Sequence, residues 1–336
     1  MTMPPAHPNF PTIPWVLRDG RTFTPAPFGI MGIVNLAPDS FYDGGRFGGS
    51  AAMETTLAVE HTMLLVRAGA HILDLGAEST RPGATPLDAG EEWRRLQPVL
   101  QRLTTLLASL TLARDTATPG TSGPEPADAA PAQMPPLISI DTYHAATARK
   151  ALDLGAHIIN DVSACSLDPA LREVLAVYKP GYVLTHSSAC HAPDANGLLR
   201  LHGRPVYGDI LDALRAFFDS KLRDLTAAGL PESHVVLDPG IGFGKSLEDT
   251  LRILQNIEIL HEFKRPVLMA LSMKSLFRDL LGLANPADRG LATQVATALL
   301  AARGVSIHRV HDVAACAQAL RLTQALSPTA SPAARG

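Results

Sequence analysis

Residues 235–246 read Val-Val-Leu-Asp-Pro-Gly-Ile-Gly-Phe-Gly-Lys-Ser. Three apolar residues bounded by turn residues predict a buried strand, and the apolar spacing over 247–262 predicts that a helix follows it. Between them, glycine lets the backbone approach a ligand closely, and the N–H groups of the loop face the incoming molecule. The glycines alone are equally compatible with a tight turn that binds nothing. Asp238 favours a ligand, because a carboxylate that ends a buried strand needs a partner, and a ligand N–H is a natural one.

The spacing of these glycines excludes two nucleotide-binding patterns. A P-loop has a glycine six positions before its lysine, and Pro239 occupies that position before Lys245. A dinucleotide fingerprint is Gly-x-Gly-x-x-Gly, whereas the glycines of this loop lie at 240, 242 and 244. Neither nucleotide site fits the loop.

The composition is that of a globular protein. The 336 residues, 46% of them hydrophobic with a mean hydropathy of +0.11, suffice for one large barrel or two ordinary domains. A net charge of −3 and a pI of about 6.4 give no electrostatic footprint for nucleic acid or an anionic membrane, so we expect neither as a partner. Residues 1–14 lack the pattern of a signal peptide, and no apolar run is long enough to span a membrane. Three scattered cysteines argue against disulfides and structural zinc, and they favour a cytoplasmic protein.

Short apolar strands alternate with helical patterns eight times along the chain. The strands are predicted at 29–34, 72–75, 137–140, 157–159, 182–184, 235–237, 267–271 and 306–310. The helices are predicted at 51–68, 90–110, 144–154, 169–178, 208–228, 247–262, 274–303, which has room for two helices, and 312–326. Eight such repeats predict a closed parallel (β/α)8 TIM barrel, an α/β fold built as a single domain.

The flanking segments are predicted to be different in kind from the barrel. Residues 16–23, with Asp19-Gly20 at the centre, are predicted to form a small hairpin before the first strand. The barrel is predicted over 15–326, with a flexible N-terminus at 1–14 and a flexible tail at 327–336. An insertion at 113–136 is rich in Pro, Ala, Thr, Gly and Ser, and we expect it to be mobile because it cannot bury enough apolar area.

Polar side chains follow the strands at the end where a barrel of this kind holds its site. In chain order they are Asn35, Asp74 with 78–81, Asp141-Thr142, Asn160-Asp161, His186, Asp238, Ser272 with Lys274, and Arg309 with His311-Asp312. Any one of them has a plain structural explanation, as Asp141-Thr142 does as a helix cap. Because all eight strands end this way, the set favours a small-molecule site.

The residue types indicate what kind of ligand this is. Asp141, Asn160 and Asp238 offer carboxylates and an amide, which suit a heterocycle that presents N–H donors and a carbonyl. Neither Ser nor Cys has an obvious His and acid partner, so no catalytic triad is predicted. Glu78 and Asp43 are candidates for an acid and base couple, but nothing in their spacing distinguishes them from ordinary loop carboxylates.

A second group of strand-end residues suits an anion. Asn35, Arg309 and His311 are suited to a phosphate, with or without a hard metal ion, and Lys274 stands between the two groups. The ligand that satisfies both is a planar, nitrogen-rich ring beside a phosphate-bearing arm.

Seven segments of the sequence resemble one family of enzymes, the dihydropteroate synthases. They are Asn35-Leu-Ala-Pro-Asp-Ser-Phe-Tyr-Asp-Gly-Gly45, Glu78-Ser-Thr-Arg-Pro-Gly83, Ile140-Asp-Thr142, Ile159-Asn-Asp-Val162, Asp238-Pro-Gly-Ile-Gly-Phe-Gly-Lys245, Ser272-Met-Lys-Ser275 and Arg309-Val-His-Asp-Val313. They run in the order of the family across about residues 29–322, so the resemblance covers nearly all of the chain outside its flexible parts.

The resemblance implies a TIM-barrel transferase of folate biosynthesis, which belongs to the pterin-binding families and is a target of sulfonamides. Such an enzyme condenses 6-hydroxymethyl-7,8-dihydropterin diphosphate with 4-aminobenzoate to give 7,8-dihydropteroate and pyrophosphate. The resemblance further implies Mg2+ as the cofactor, these two small molecules as substrates, and a homodimer.

It also implies a role for particular residues. Asp141, Asp238 and Lys274 would be catalytic, and the pterin would be bound by them together with Asn160, Gly242 and Phe243. Asn35 would ligate Mg2+ and, with Arg309 and His311, hold the diphosphate. The aminobenzoate side and its loops would be formed by Thr80, Arg81, Ser272, Asp39 and Phe41.

The sequence departs from the family pattern at Ala37, Ala270 and Met273, where the family commonly has Thr, Gly and Arg. Methionine cannot make the charge-assisted bonds of a guanidinium, so Met273 bears on the binding of the amine substrate. Two alternatives stay open at this point. One is a non-catalytic or altered-acceptor pterin-binding paralogue with different sulfonamide sensitivity. The other is a barrel like the methyltetrahydrofolate:corrinoid methyltransferases.

Overall fold

The computed structural model describes residues 12–36, 51–78, 86–115, 135–187 and 207–327. Its strands are β1 (Trp15–Val16), β2 (Thr22–Phe23), β3 (Gly29–Asn35), β4 (Ile72–Gly76), β5 (Leu137–Asp141), β6 (Ile158–Asp161), β7 (Gly181–Thr185), β8 (Val235–Asp238), β9 (Leu268–Met269) and β10 (Ile307–Val310). Its α-helices are α1 (Ala51–Arg67), α2 (Ala89–Asp115), α3 (Ala145–Asp153), α4 (Leu171–Tyr178), α5 (Ile210–Ala228), α6 (Leu247–Gln255), α7 (Leu276–Leu281), α8 (Gly290–Ala301) and α9 (Val313–Leu326).

The eight strands β3 to β10 form one parallel sheet that closes on itself. Their order is β8-β7-β6-β5-β4-β3-β10-β9. The last gap is closed where Leu237 in β8 bridges Val267, and the Leu237 N–H donates to the Pro266 carbonyl at 3.0 Å. The predicted (β/α)8 barrel is therefore confirmed, with helices on its outside.

The interior of the barrel is sealed at its amino end. An apolar cluster fills that end, formed by residues such as Met31, Ile72 and Val236. Trp15 and Leu17 from the N-terminal hairpin plug it and are almost fully buried. Gly181 leaves room for the plug, since a Cβ there would lie 2.6 Å from the Leu17 side chain. Because this end is filled by apolar side chains, polar groups inside the barrel are confined to the carboxyl end.

The hairpin forms as predicted around Asp19-Gly20. Trp15 pairs with Phe23, and both Asp19 and Gly20 have positive φ angles, of 61° and 72°. Asn, Asp and Gly are the residues that tolerate this left-handed region best, which is why the turn lies there. The Trp15 indole N–H donates to the His234 carbonyl at 2.7 Å and ties the hairpin to the barrel.

Several predicted boundaries are corrected by the structure. The strand predicted over 267–271 is only Leu268–Met269, because Val267 makes an isolated bridge and the chain leaves the sheet after residue 269. The pattern at 274–303 contains two helices, separated by Gly282 with φ 71° and by a 3-10 turn at Pro286–Arg289. The pattern at 247–262 is α6 followed by a 3-10 segment, Ile257–Phe263.

The predicted flexible segments lie largely outside the described residues. This holds for 1–11, 116–134 and 328–336. The first residues of the predicted insertion, 113–115, belong to the end of α2. Within the described ranges, no helix is long and apolar enough to cross a membrane.

Candidate active site

Arg309 is the centre of an ion-pair network inside the carboxyl end of the barrel. Its Nε donates to Asp74 Oδ2 at 2.6 Å, and its Nη2 donates to Asp141 Oδ2 at 2.5 Å. Burial lowers the pKa of Arg309, but the charges of the two carboxylates outweigh it and hold that pKa above its usual value. Burial raises the pKa of Asp141 to about 7, against the opposing effect of Arg309. The Arg309 cation thus lies between two acids, and the pKa of one of them, Asp141, lies near neutral pH.

Asp74 joins this network to Asn160. The Asn160 side-chain amide donates to Asp74 Oδ2 at 3.0 Å, so one carboxylate oxygen accepts from both Asn160 and Arg309. Asp74 is fully buried, and its Oδ1 has no partner among the described residues. Asp74 is recognisable in the sequence as a strand-end acid, but no role was predicted for it. The available signal was a carboxylate inside the otherwise apolar strand Ile72–Gly76, which only a buried partner can explain.

Asp238 lies at the end of β8, where the first predicted loop glycine follows it. Its Oδ1 accepts from the Gly240 N–H at 2.7 Å, and its own carbonyl accepts from the His186 N–H at 2.8 Å. A Cβ at Gly240 would lie 2.0 Å from the His186 carbonyl oxygen, and φ at Gly240 is +66°. Both facts require glycine at 240, so this turn folds tightly against the neighbouring strand end. Burial raises the pKa of Asp238, although Lys274 opposes the shift.

Lys274 reaches across the same loop. Its Nζ donates to the Ile241 carbonyl and lies 4.6 Å from the centre of the Phe243 ring. Burial lowers the pKa of Lys274 to about 8, while Asp238 opposes the shift. Gly242 has φ +89°, and a Cβ there would lie 3.3 Å from the Lys274 side chain. The loop is thereby shaped around the lysine and one aromatic face.

Lys245 holds the loop from beneath. Its ammonium donates to the carbonyls of His186, Gly240 and Phe243 at 3.0, 2.9 and 3.2 Å. Three carbonyl acceptors fit the three donors of an ammonium group. No role was predicted for this lysine, and here it fixes the backbone of the glycine turn.

Ser272 and His311 form a pair across neighbouring strand ends. Ser272 Oγ and His311 Nδ1 lie 2.9 Å apart, and the His311 N–H donates to Ser272 Oγ at 3.2 Å. Ser272 thus has a histidine partner that the sequence did not reveal, whereas the expectation concerned a histidine together with an acid. The two residues are 39 positions apart in sequence, and only the pairing of β9 with β10 brings them together.

Of the remaining predicted residues, Asn35 lies in the described structure and the loop residues do not. Asn35 ends β3 and is in register with Gly76, which in turn is in register with Asp141. Asn35 therefore lies on the same rim as the Arg309 network. Thr80, Arg81, Asp39, Phe41, Ala37 and Asp43 lie outside the described residues.

Asp141-Thr142 is not the helix cap that its position favours. The N-cap residue of α3 is His144, whose N–H donates to Thr142 Oγ1 at 3.1 Å. Thr142 in turn donates to Glu92 at 2.8 Å, and burial raises the pKa of Glu92 to about 7. Asp141 is thus left to face Arg309.

Glu78 is held by hydrogen bonds from two sides. Its carboxylate accepts from the Tyr143 hydroxyl, at 3.1 Å to Oε2, and from the Leu87 N–H at 3.0 Å. Burial raises the pKa of Glu78, and these two hydrogen bonds oppose the shift. The Glu78 side chain is therefore tied to Tyr143 and to the backbone at Leu87.

The Arg309 network and the Asp238–Lys274 pair are electrostatically coupled. Asp238 and Asp141 both raise the pKa of Lys274, and Arg309 lowers it. Asp141, Asn160, Asp238, Lys274 and Arg309 are therefore brought together at one rim, as the sequence analysis expected. Within the described ranges, no group of three or more His, Cys, Asp or Glu side chains is arranged to hold a metal by itself. The rim offers alternating acids, amide and cations around a glycine-lined loop, which suits a planar polar ring with a charged arm.

Comparison with known proteins agrees with this chemistry. A sequence model described as "Pterin binding enzyme" matches residues 31–121 and 128–311. The dihydropteroate synthase of Neisseria meningitidis serogroup C is 35% identical over 300 residues, which span 88% of this chain and 92% of that protein. The dihydropteroate synthase of Synechocystis sp. is 32% identical over 304 residues, spanning 88% and 89%.

Solved structures show the same likeness. Xanthomonas albilineans dihydropteroate synthase with 4-aminobenzoic acid superimposes with a TM-score of 0.75 at 33% identity, covering 92% of this chain and 97% of that chain. The structure of the Xanthomonas enzyme in complex with 7,8-dihydropteroate gives a TM-score of 0.71 at 31% identity, covering 92% and 98%. A sulfonamide complex of the Yersinia pestis enzyme gives 0.73 at 29% identity, covering 92% and 97%.

Proposed function

The chain belongs to the pterin-binding enzyme family as a dihydropteroate synthase, and from that premise we propose how its rim residues divide the reaction. The reaction joins 4-aminobenzoate to the methylene carbon of 6-hydroxymethyl-7,8-dihydropterin diphosphate and releases pyrophosphate. The observation that carries the proposal is the convergence of the Arg309 network and the Asp238–Lys274 pair on one rim.

The pterin ring is assigned to Asp238, Asn160, Asp141 and Lys274. Carboxylate and amide oxygens accept from the ring N–H groups, and the lysine donates to the ring carbonyl. Asp238 supports this role because its side chain is only 5% exposed. A buried carboxylate is stable only where hydrogen-bond donors face it. Phe243, beside the lysine, offers a flat face for the ring.

The diphosphate is assigned to Arg309, His311 and Asn35. Arg309 supports this role because its guanidinium is held in place by Asp74 and Asp141 before any ligand arrives. Prior ordering reduces the entropy lost on binding. His311 is oriented by Ser272. Ser272 is also assigned to the 4-aminobenzoate side of the site, together with Thr80, Arg81, Asp39 and Phe41.

Mg2+ fits Asn35 by the chemistry of the donor. Mg2+ commonly takes one or two protein oxygens and completes its octahedron with waters and substrate phosphates. Asn35 supplies an amide oxygen, and Gly76, which lies in register between Asn35 and Asp141, lets the Asp141 side chain pack 3.2 Å from where a Cβ at 76 would lie. When bound, the ion would neutralise charge on the departing diphosphate.

The protein's part in the chemistry is to stabilise charge. The C–O bond between the methylene carbon and the diphosphate breaks, and pyrophosphate keeps the electron pair. The positive charge left on the pterin is stabilised by Asp141 and Asp238, and a cation beside Asp141 favours its carboxylate form even though its pKa is about 7. The amine nitrogen then donates its lone pair to the carbon and releases a proton. No strong base is needed, and water has to be kept away from the cation.

A homodimer is part of the same proposal. α8 exposes Leu291, Val295 and Leu299, four residues apart on one face, with exposed fractions of 79%, 52% and 63%. A second copy of the chain would cover this stripe. Light scattering of Leu291→Glu/Leu299→Glu tests it, because two charges in such an interface give a monomer. A cytoplasmic location is proposed as well, since Cys165 and Cys316 are both free and buried.

Pyrophosphate release tests the function. We expect it only when pterin diphosphate and 4-aminobenzoate are supplied together, and we expect it to depend on Mg2+. A protein that binds pterin diphosphate without releasing pyrophosphate would be the non-catalytic relative. Turnover of a methylfolate with a corrinoid acceptor, in place of pyrophosphate release, would identify the methyltransferase-like alternative.

A further inference from the structure

Met273 holds a backbone conformation that is unusual for a residue with a side chain. Its φ is +59°, in the left-handed region, and it lies between Ser272 and Lys274. Residues other than glycine, Asn and Asp adopt this region rarely, and it persists only where the surrounding structure determines it. Because a left-handed residue reverses the local chain direction, the two neighbours point to different parts of the rim. Ser272 meets His311, and Lys274 reaches Ile241.

Two residues at the start of α8 hold the backbone of Met273 from both sides. Its N–H donates to Thr293 Oγ1 at 3.2 Å, and its carbonyl accepts from Arg289 Nη1 at 2.9 Å. The Thr293 hydroxyl also donates to the Arg289 carbonyl at 2.8 Å, so donor and acceptor capacities are both used. Thr293 and Arg289 are 2% and 6% exposed.

Among the described residues, the acceptors that the guanidinium of Arg289 meets are backbone carbonyls. Besides Met273, its Nε donates to Leu283 at 2.9 Å and its Nη2 donates to Ala284 at 2.6 Å. It therefore ties the Met273 turn to the chain that follows α7. The three carbonyls are reached from three different nitrogens of one rigid plane, Nε, Nη1 and Nη2, and the single ammonium nitrogen of a lysine at 289 would not reproduce that spacing. These contacts bind main chain and do not form an ion pair.

We propose that Arg289 and Thr293 are positioning residues of the synthase site. They impose the left-handed turn at Met273, and the turn sets Ser272 and Lys274 on opposite sides of the rim. This inference rests on the proposed function, which assigns Ser272 to the amine side and Lys274 to the pterin.

A valine at Thr293 is the sharpest test. It removes the hydroxyl that accepts from Met273 at nearly unchanged volume, and it leaves a buried N–H without a partner. We expect kcat/KM for pterin diphosphate to fall by about tenfold, with the change in KM as well as in kcat. Thr297→Val is the matched control, because Thr297 is 3% exposed and lies one turn further along α8. It should change kcat/KM by less than about twofold.

Glycine at 273 separates positioning from a general effect on stability. Glycine adopts a φ of +59° without steric cost. Met273→Gly should therefore recover most of the kcat/KM lost in Thr293→Val when the two changes are combined. Glycine at 273 adds no contact to α8, so it would not repair a helix that had been weakened. Arg289→Lys keeps the charge but not the three nitrogens in one plane, and we expect a larger loss than in Thr293→Val.

The thermal unfolding midpoint of every variant is measured as well. Thr293→Val with the kinetics of Thr297→Val overturns the proposal, as does a loss that glycine at 273 does not recover. Should Thr293→Val fail to fold, wild-type kinetics in folded Arg289→Lys overturn it. Failure of both to fold assigns them a purely structural role, which overturns it too. Failure of the function is separate, because the wild-type protein itself would then release no pyrophosphate.

Discussion

Replacing Asp74 by asparagine tests the network at its most buried point. One oxygen of Asp74 accepts from Arg309 at 2.6 Å and from Asn160 at 3.0 Å. The amide oxygen of asparagine keeps both acceptor contacts and removes the charge. Hydrogen bonds to a charged group are worth about 1.5–3 kcal/mol and neutral ones about 0.5–1.5. Two such bonds weakened by about 1–1.5 kcal/mol each lower the free energy of unfolding by about 2–3 kcal/mol.

The activity should fall with the stability. Of the two carboxylates that form ion pairs with Arg309 among the described residues, Asp141 would remain, and the guanidinium would no longer be fixed where the diphosphate is assigned. We expect kcat/KM in the pyrophosphate-release assay to drop by about 100-fold, since misplacement by about 1 Å costs that much. Urea unfolding followed by circular dichroism gives the stability in parallel.

An exposed acid provides the control for this variant. Asp212 forms an ion pair with Arg215 in which the Asp212 side chain is 75% exposed. Asp212→Asn should leave both the unfolding midpoint and kcat/KM unchanged, because solvent screens such pairs. The reasoning is refuted if Asp74→Asn matches this control, with a change in stability below about 1 kcal/mol and kcat/KM within about threefold.

Three further predictions follow from single contacts. Gly240→Ala should destabilise the protein far more than Gly282→Ala. Both glycines have positive φ, of 66° and 71°, but of the two only a Cβ at 240 would meet backbone. The urea midpoint should therefore fall much further for Gly240→Ala, and equal midpoints would contradict this. Burial lowers the pKa of His157 from 6.5 to about 4, so the unfolded chain binds one more proton in that window. Stability should fall by up to about 1.4 kcal/mol for each pH unit from 6.5 to 4, and His157→Asn should flatten the slope. Asp238→Asn and Lys274→Ala should each abolish detectable pterin binding in calorimetric titration, and unchanged affinity in both would remove them from the site.

The barrel could be predicted because its signals are local. Each short apolar strand is followed by a helical pattern, and a closed parallel sheet is the fold that eight such repeats favour. The errors arose where long-range contacts overrule the local pattern. Residues 267–271 are apolar throughout, yet only Leu268–Met269 pair as a strand, because the barrel closes there through a single bridge at Val267.

The position of the strand-end residues at one rim could be predicted, but their pairings could not. Asp141, Asn160, Asp238 and Arg309 were recognisable because they end strands whose carboxyl ends meet in a barrel. That Arg309 takes Asp74 and Asp141 as partners depends on which side chains face inward from β10, β4 and β5, which the sequence does not state. Side chains from distant strands are neighbours only after closure.

The Ser272–His311 pair and the Arg289 contacts escaped prediction for a related reason. Ser272 and His311 are 39 residues apart and follow adjacent strands. Arg289 acts on a backbone carbonyl, and a residue that binds main chain leaves no pattern of partner residue types in the sequence.

A single-turnover experiment tests the central claim most directly. The protein, in excess over pterin diphosphate and with Mg2+ present, is mixed with 4-aminobenzoate, and dihydropteroate and pyrophosphate are quantified together. If the rim grips the pterin and its charged arm and transfers the methylene carbon to the amine, the two products form in equal amounts and neither forms without the amine. Pyrophosphate formed without dihydropteroate, or no product from protein that has bound the pterin, would contradict the account.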